Sequence, residues 1–146
     1  MSLETSAIFI GHRECFDISR EQIKGAIIEL AEKGVTEFFN GGQGTFDRIC
    51  AGCVKELKSK YPHIRNILVI PYLSFNIFDK DIFDLIIYPE ELEKYHFKAA
   101  IPARNRYMVD NSKYAICYVT HSWGGAAVTY ERAKKKGLQI INFGKK

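Results

Sequence analysis

No window of the chain approaches the roughly 18 consecutive apolar residues that a membrane-spanning helix needs. The opening M-S-L-E-T-S-A-I-F-I lacks the basic segment and long apolar stretch of a secretory leader. We therefore expect a soluble, cytoplasmic protein with no membrane partner. Cysteine is sparse, at positions 15, 50, 53 and 117. Cys50 and Cys53 form C-x-x-C, but no second C-x-x-C or H-x-x-x-H completes a zinc set. Phe46, Ile49, Cys50, Cys53, Val54 and Leu57 recur at helical spacing, which turns both thiols toward a core. No metal and no cofactor is expected.

Charge of one sign is also in short supply. A net charge of +4 favours small anions without amounting to a nucleic-acid signature. The basic run 132–136 falls in the last turn of an expected helix, where cations complement the helix dipole. Several motifs are missing outright. There is no G-x-x-x-x-G-K-[ST], which excludes a Walker-type NTPase, and no G-x-S-x-G. Asp47 stands where a dinucleotide fingerprint would place its third glycine, which disfavours a standard NAD enzyme. Internal repeats, low-complexity tracts and Pro/Gly/Ser-rich linkers are absent too.

What the 146 residues do contain, at 47% hydrophobic, is enough apolar material for one domain spanning 1–146. Short apolar runs alternate with helical periods. Strands are expected at 7–10, 37–40, 66–70, 114–119 and 139–143. Ser19 and Gln22 form a capping box opening a helix with the stripe Ile23, Ala26, Ile27 and Leu30, ended by Gly34. Further helices are expected from Phe46 to the Tyr61-Pro62 step, over 104–111 and over 126–136. This order implies a single Rossmann-like, three-layer α/β domain with a mostly parallel sheet. The stretch 72–103 mixes aromatics with charges at no dominant period, and is either a lid over a ligand or a plain surface loop.

In a parallel sheet of this kind ligands bind beyond the carboxyl ends of the strands. There the chain places Gly11-His12-Arg13, then Gly41-Gly42-Gln43-Gly44, then T-H-S-W followed by Gly124-Gly125. Each glycine pair opens a helix, whose free N–H groups and dipole suit an anion, although tight turns alone also explain glycines. On the anion-cradle reading Gly42→Val should abolish binding and leave the fold intact. Arg104 and Arg13 are candidate phosphate ligands, each with a surface ion pair as its alternative. Glu131 is a candidate acid/base, with a solvated helix glutamate as its alternative. His12 and His121 lie beside the turns, and unpaired histidines there are more often structural than catalytic.

The ordered segments G-H-R (11–13), G-G-Q-G-T-F-D (41–47), V-I-P-Y (69–72), R-N-R-Y-M-V-D-N-S (104–112) and H-S-W-G-G-A-A-V-T (121–129) resemble the YpsA-like branch of the SLOG superfamily. That superfamily contains Rossmann-like domains related to the Lonely Guy phosphoribohydrolases and to the DNA-processing protein DprA. The resemblance implies a nucleotide-type ligand held by Gly11, Arg13, Gly41, Gly42, Gly44, Arg104, Asn105, Gly124, Gly125 and Thr129. It also implies that Arg104 and Glu131 are the counterparts of the hydrolases' catalytic pair. The chain departs from the P-G-G-x-G-T-x-x-E pattern at Trp123, Ala127 and Val128, and Asn105 replaces a lysine. Binding or sensing of a nucleotide is accordingly expected first. Hydrolysis of a nucleoside 5′-monophosphate is second and DprA-like nucleic-acid binding third. A homo-oligomer is compatible with the sequence.

Overall fold

In a computed structural model of the chain, which describes residues 1–144, strand β1 (Ser6–Gly11) is buried on both of its faces. Ala7 and Phe9 point to one side and Ile8 and Ile10 to the other, as the two-residue period of a strand requires. Helices α1 (Arg20–Glu32) and α2 (Gly44–Leu57) cover the first side, packing on Ala7, Phe9 and Phe38. Helices α3 (Phe97–Asp110) and α4 (Gly125–Lys135) cover the second, packing on Ile8, Ile10 and Phe39. Continuous apolar runs such as A-I-F-I therefore belong to central strands with no solvated face.

The remaining strands are β2 (Glu37–Asn40), β3 (Arg65–Val69), β4 (Leu85–Ile87), β5 (Tyr114–Tyr118) and β6 (Gln139–Asn142). The sheet order is β4-β3-β2-β1-β5-β6, with all of these pairings parallel. The chain winds outward from β1 through β4, then returns to the other side of β1 for β5 and β6. Strand order thus reverses between β1 and β5, and the loops after these two strands diverge to opposite faces.

Two expectations need correction. The stretch 72–103 is not one loop, since it contributes the edge strand β4 and the start of α3. Strand β4 has only three apolar residues between charged and aromatic neighbours, too short for a period. Helix α3 begins seven residues before Arg104 and carries Pro102 in its interior. A proline there removes one N–H bond at a cost of about 3 kcal/mol, and packing of Ala100, Ala103, Met108 and Val109 outweighs it. Ser19 does cap α1, accepting from the Glu21 and Gln22 amides.

Candidate functional site

The carboxyl ends of β1, β2 and β5 open into a cleft of about 690 Å³, walled by the starts of α2 and α4 and the inner face of α3. That volume lies in the range of small-molecule sites, roughly 300–1,000 Å³. Of the expected ligand-binding residues, Gly11, Arg13, Gly41, Arg104, Asn105, Gly124, Gly125 and Thr129 line it. Gly42, Gly44 and Glu131 do not.

The first glycine turn is filled by the chain itself. The Gly42 amide donates to Asn40 Oδ1 at 2.7 Å, the Gln43 amide to Asp47 Oδ2 at 2.9 Å, and the Thr45 amide to the Arg13 carbonyl at 2.8 Å. The Asp47 carboxylate therefore occupies the place at the start of α2 that a bound anion would take. The close approach that the glycines permit is also internal. A Cβ on Gly44 would come within 2.5 Å of Arg13 Cα, and one on Gly42 within 2.7 Å of Leu68 Cδ1. Gly42 is buried with φ +70°. The expectation that Gly42→Val spares the fold is therefore corrected: the added side chain meets Leu68 and Phe75 in a conformation β-branched residues avoid.

Arg104 is not a surface ion pair. It is 1% exposed. Its Nη1 donates to the carbonyls of Gly41 and Val69 at 2.7 and 2.8 Å, Nη2 to Gln43 Oε1 at 2.9 Å, and Nε to Asn105 Oδ1 at 2.8 Å. Four of the five guanidinium N–H donors are thereby committed to the ends of β2 and β3 and to α3. The missing Cβ of Gly41 makes room for this group, since it would lie 3.2 Å from Cζ. Burial lowers Arg104 to about 10, with the negative charge of Asp47 opposing, so it remains a cation at neutral pH. Burial likewise pushes Asp47 up to about 7, and the Gln43 amide and Arg104 pull it back.

The second glycine turn is open. No side chain caps α4, and its first internal bond runs from the Val128 amide to the Gly124 carbonyl at 3.2 Å. The Gly125 and Ala126 amides therefore face the cleft without a helical partner. Gly124 has φ +92° with nothing within 4 Å of where a Cβ would be. Thr129 donates its hydroxyl to the Gly125 carbonyl at 2.9 Å. Arg13 is exposed at the mouth and makes no ion pair among the described residues.

Beside this turn stands a column of rings that sequence reasoning did not assemble. His12 stacks on His121 with centroids 3.7 Å apart, and His121 on Trp123 at 3.8 Å. The Thr120 amide donates to His12 Nε2 at 2.9 Å, which fixes that nitrogen as an acceptor. Burial, and secondarily the charge His121 can carry, lower the His12 pKa. His121 Nδ1 is buried without a partner among the described residues. Only the placement of both histidines after strands hinted at this pairing.

Glu131 lies on the exposed side of α4, 3.0 Å from Lys134. In the basic run at the end of this helix Arg132 pairs with Asp110 at 2.7 Å and Lys136 with the same carboxylate at 3.8 Å. The acids lining the cleft are Glu14, Asp17 and Asp47. The four cysteines are buried and unpaired, and no group of metal-ligating side chains occurs among the described residues. No described helix is long and apolar enough to cross a membrane.

The model of the YspA SLOG family matches residues 5–80 of the chain. An uncharacterized SPbeta prophage-derived protein of Bacillus subtilis, YoqJ, is 28% identical over 142 residues, covering 80% of this chain and 83% of that protein. In structure the chain is similar to DNA processing protein A of Helicobacter pylori, described for its single-stranded DNA binding mode. The TM-score is 0.64 at 18% identity, over 97% of this chain and 65% of that one. DprA of Streptococcus pneumoniae gives a TM-score of 0.68 at 17% identity, over 95% of this chain and 50% of that one. The chain thus spans about two thirds and one half of these two solved proteins, and at such identities the likeness is one of fold.

Proposed function

We propose that this chain, which belongs to the YspA SLOG family, binds a nucleotide or nucleotide-derived small molecule in the cleft between β1 and β5. The observation that carries this reading is the coincidence of the cleft with the strand-order reversal, where ligands of parallel α/β sheets collect. A phosphate would sit on the free Gly125 and Ala126 amides at the start of α4, where the helix dipole favours an anion. Arg13 supplies a cation from the facing loop. Asn105 spends its Oδ1 on Arg104 and keeps its Nδ2 for a ligand. Arg104, Asp47 and Gln43 are positioning residues that hold the floor of the cleft rather than grip the ligand.

The reading is one of binding without turnover. The acid in the position of the hydrolases' glutamate, Glu131, is outside the cleft and paired with Lys134. General acid/base work requires hydrogen-bond reach of the reacting atoms.

A calorimetric panel of AMP, ADP-ribose, NAD and cyclic nucleotides tests the proposal. At about 100 times its Kd a ligand specific for the native state adds about 2.7 kcal/mol, a midpoint rise of roughly 5–10 °C for a domain this size. Arg13→Ala should weaken the best ligand several-fold at unchanged stability. A panel with no binder overturns the reading. A salt-dependent affinity for oligonucleotides exceeding that for every mononucleotide would replace it with single-stranded DNA binding, the property described for the Helicobacter protein. Sustained release of free base from AMP over hours would make the chain an enzyme.

A further inference from the structure

Trp123 is the chain's single tryptophan and is 69% exposed, although a large indole is normally covered in a domain of this size. One of its faces lies on His121 at 3.8 Å, and His121 lies in turn on His12 at 3.7 Å with planes only 12° apart. The indole is thus held flat at the cleft rim by rings beneath it, while its other face is open to solvent. His121 Nδ1 is buried in the column with no protein partner among the described residues.

The position of this open face relative to the phosphate site is fixed by the chain. Trp123 is two residues before Gly125, at most about 7 Å of backbone, a span that a ribose bridges between a 5′-phosphate and its base. Among the described residues Arg13 and Arg104 are the only arginines or lysines lining the cleft, and Arg104 is committed to the protein's own carbonyls. One open helix end with one free guanidinium suits one phosphate group, not the successive phosphates of a strand.

We propose that the outer face of Trp123 is the stacking platform for the base of a mononucleotide whose phosphate lies on the start of α4. This inference deepens the nucleotide reading of the same cleft and rests on it. The base extends the His12–His121–Trp123 column by one ring, recognised by its π-face.

Because the chain has one tryptophan, its emission reports this contact directly. The experiment titrates AMP, ribose 5-phosphate and a short oligothymidylate into the intact chain, following tryptophan emission and, in parallel, calorimetric affinity. AMP is expected to quench the emission saturably, whereas ribose 5-phosphate binds more weakly and leaves emission unchanged. Base–aromatic stacking corresponds to roughly 5- to 150-fold in affinity. Trp123→Ala should lose that factor for AMP and nothing for ribose 5-phosphate, and Trp123→Phe should restore most of it. As an exposed residue, Trp123 should tolerate both changes without loss of folding, checked by circular dichroism. Equal affinities for AMP and ribose 5-phosphate, or undiminished AMP binding by Trp123→Ala, overturn the platform while leaving the cleft assignment standing. No binding by either small ligand overturns both. Quenching by the oligothymidylate alone overturns the mononucleotide assignment in favour of a nucleic-acid base.

Discussion

Replacing Arg104 by alanine removes the group that ties three elements together at the base of the cleft. Four acceptors, the Gly41 and Val69 carbonyls, Gln43 Oε1 and Asn105 Oδ1, lose their partner at once. A buried acceptor left unsatisfied costs about 1–3 kcal/mol. Asp47 also loses the nearby positive charge that holds its carboxyl down. Against these stand the release of a buried cation from its desolvation and the entry of water from the cleft, which re-solvates some of the exposed carbonyls. A net loss of about 3–5 kcal/mol follows, the usual range when one member of a buried charged network is removed. At roughly 2–4 °C per kcal/mol for a domain near 150 residues, the midpoint should fall by roughly 6–20 °C. Urea denaturation at pH 7 measures the loss directly, provided the slope is unchanged. Arg104→Lys should recover only part of it, since one ammonium cannot span acceptors on two strands and a side chain. A midpoint for Arg104→Ala corresponding to less than about 1 kcal/mol below the parent would refute the reasoning and return Arg104 to the role of a free ligand-binding cation.

Gly42→Val should lower stability by at least about 2 kcal/mol, from backbone strain plus overpacking against Leu68; an unchanged thermal midpoint would contradict this. Gly124→Ala meets no atom, so its cost should be confined to the strain of a backbone at φ +92° and ψ 171°, about 1–3 kcal/mol. Asp47 has a folded pKa of about 7, raised from 3.8. Its contribution to stability is therefore fully present below about pH 4 and lost as the pH rises through about 7. Relative to Asp47→Asn, the parent should lose stability between pH 4 and pH 8; parallel stability curves for the two proteins would refute the assignment. Burial raises the Cys50 and Cys53 thiols, so native alkylation should be slow compared with the urea-unfolded chain, and elemental analysis should find no stoichiometric zinc.

The alternation of strand and helix was legible because the apolar runs of β1, β2 and β3 belong to central strands buried on both faces, which leaves an unmistakable pattern. Strand β4 was not, since three residues pairing at the sheet edge leave no period. The edge of the sheet that opens into the cleft could also be read, because glycines and polar residues follow β1, β2 and β5. What could not be read is which glycine turn is vacant. That depends on Asp47 turning back to the Gln43 amide and on Arg104 arriving from α3 to fill the space beside Gly41. The first is a choice of side-chain orientation within one turn and the second a long-range contact, and neither leaves a period in the sequence. The position of Glu131 turns on a similar detail: its place in the helical period sets it on the solvent side of α4, where Lys134 meets it. The ring column joins His12 to His121 and Trp123 across the β1–β5 junction, a contact made by strand order rather than by sequence spacing.

The central claim is that the ligand sits at the start of α4, and not in the turn that opens α2. Backbone amide shifts of the isotope-labelled chain, followed by NMR during titration with AMP, test it most directly. The account predicts saturable shifts centred on Gly124, Gly125 and Ala126, with the Trp123 indole and the amides of residues 11–13 moving alongside and those of Gly42, Gln43 and Thr45 holding still. Shifts centred on Gly42, Gln43 and Thr45, or none anywhere at millimolar AMP, would contradict it.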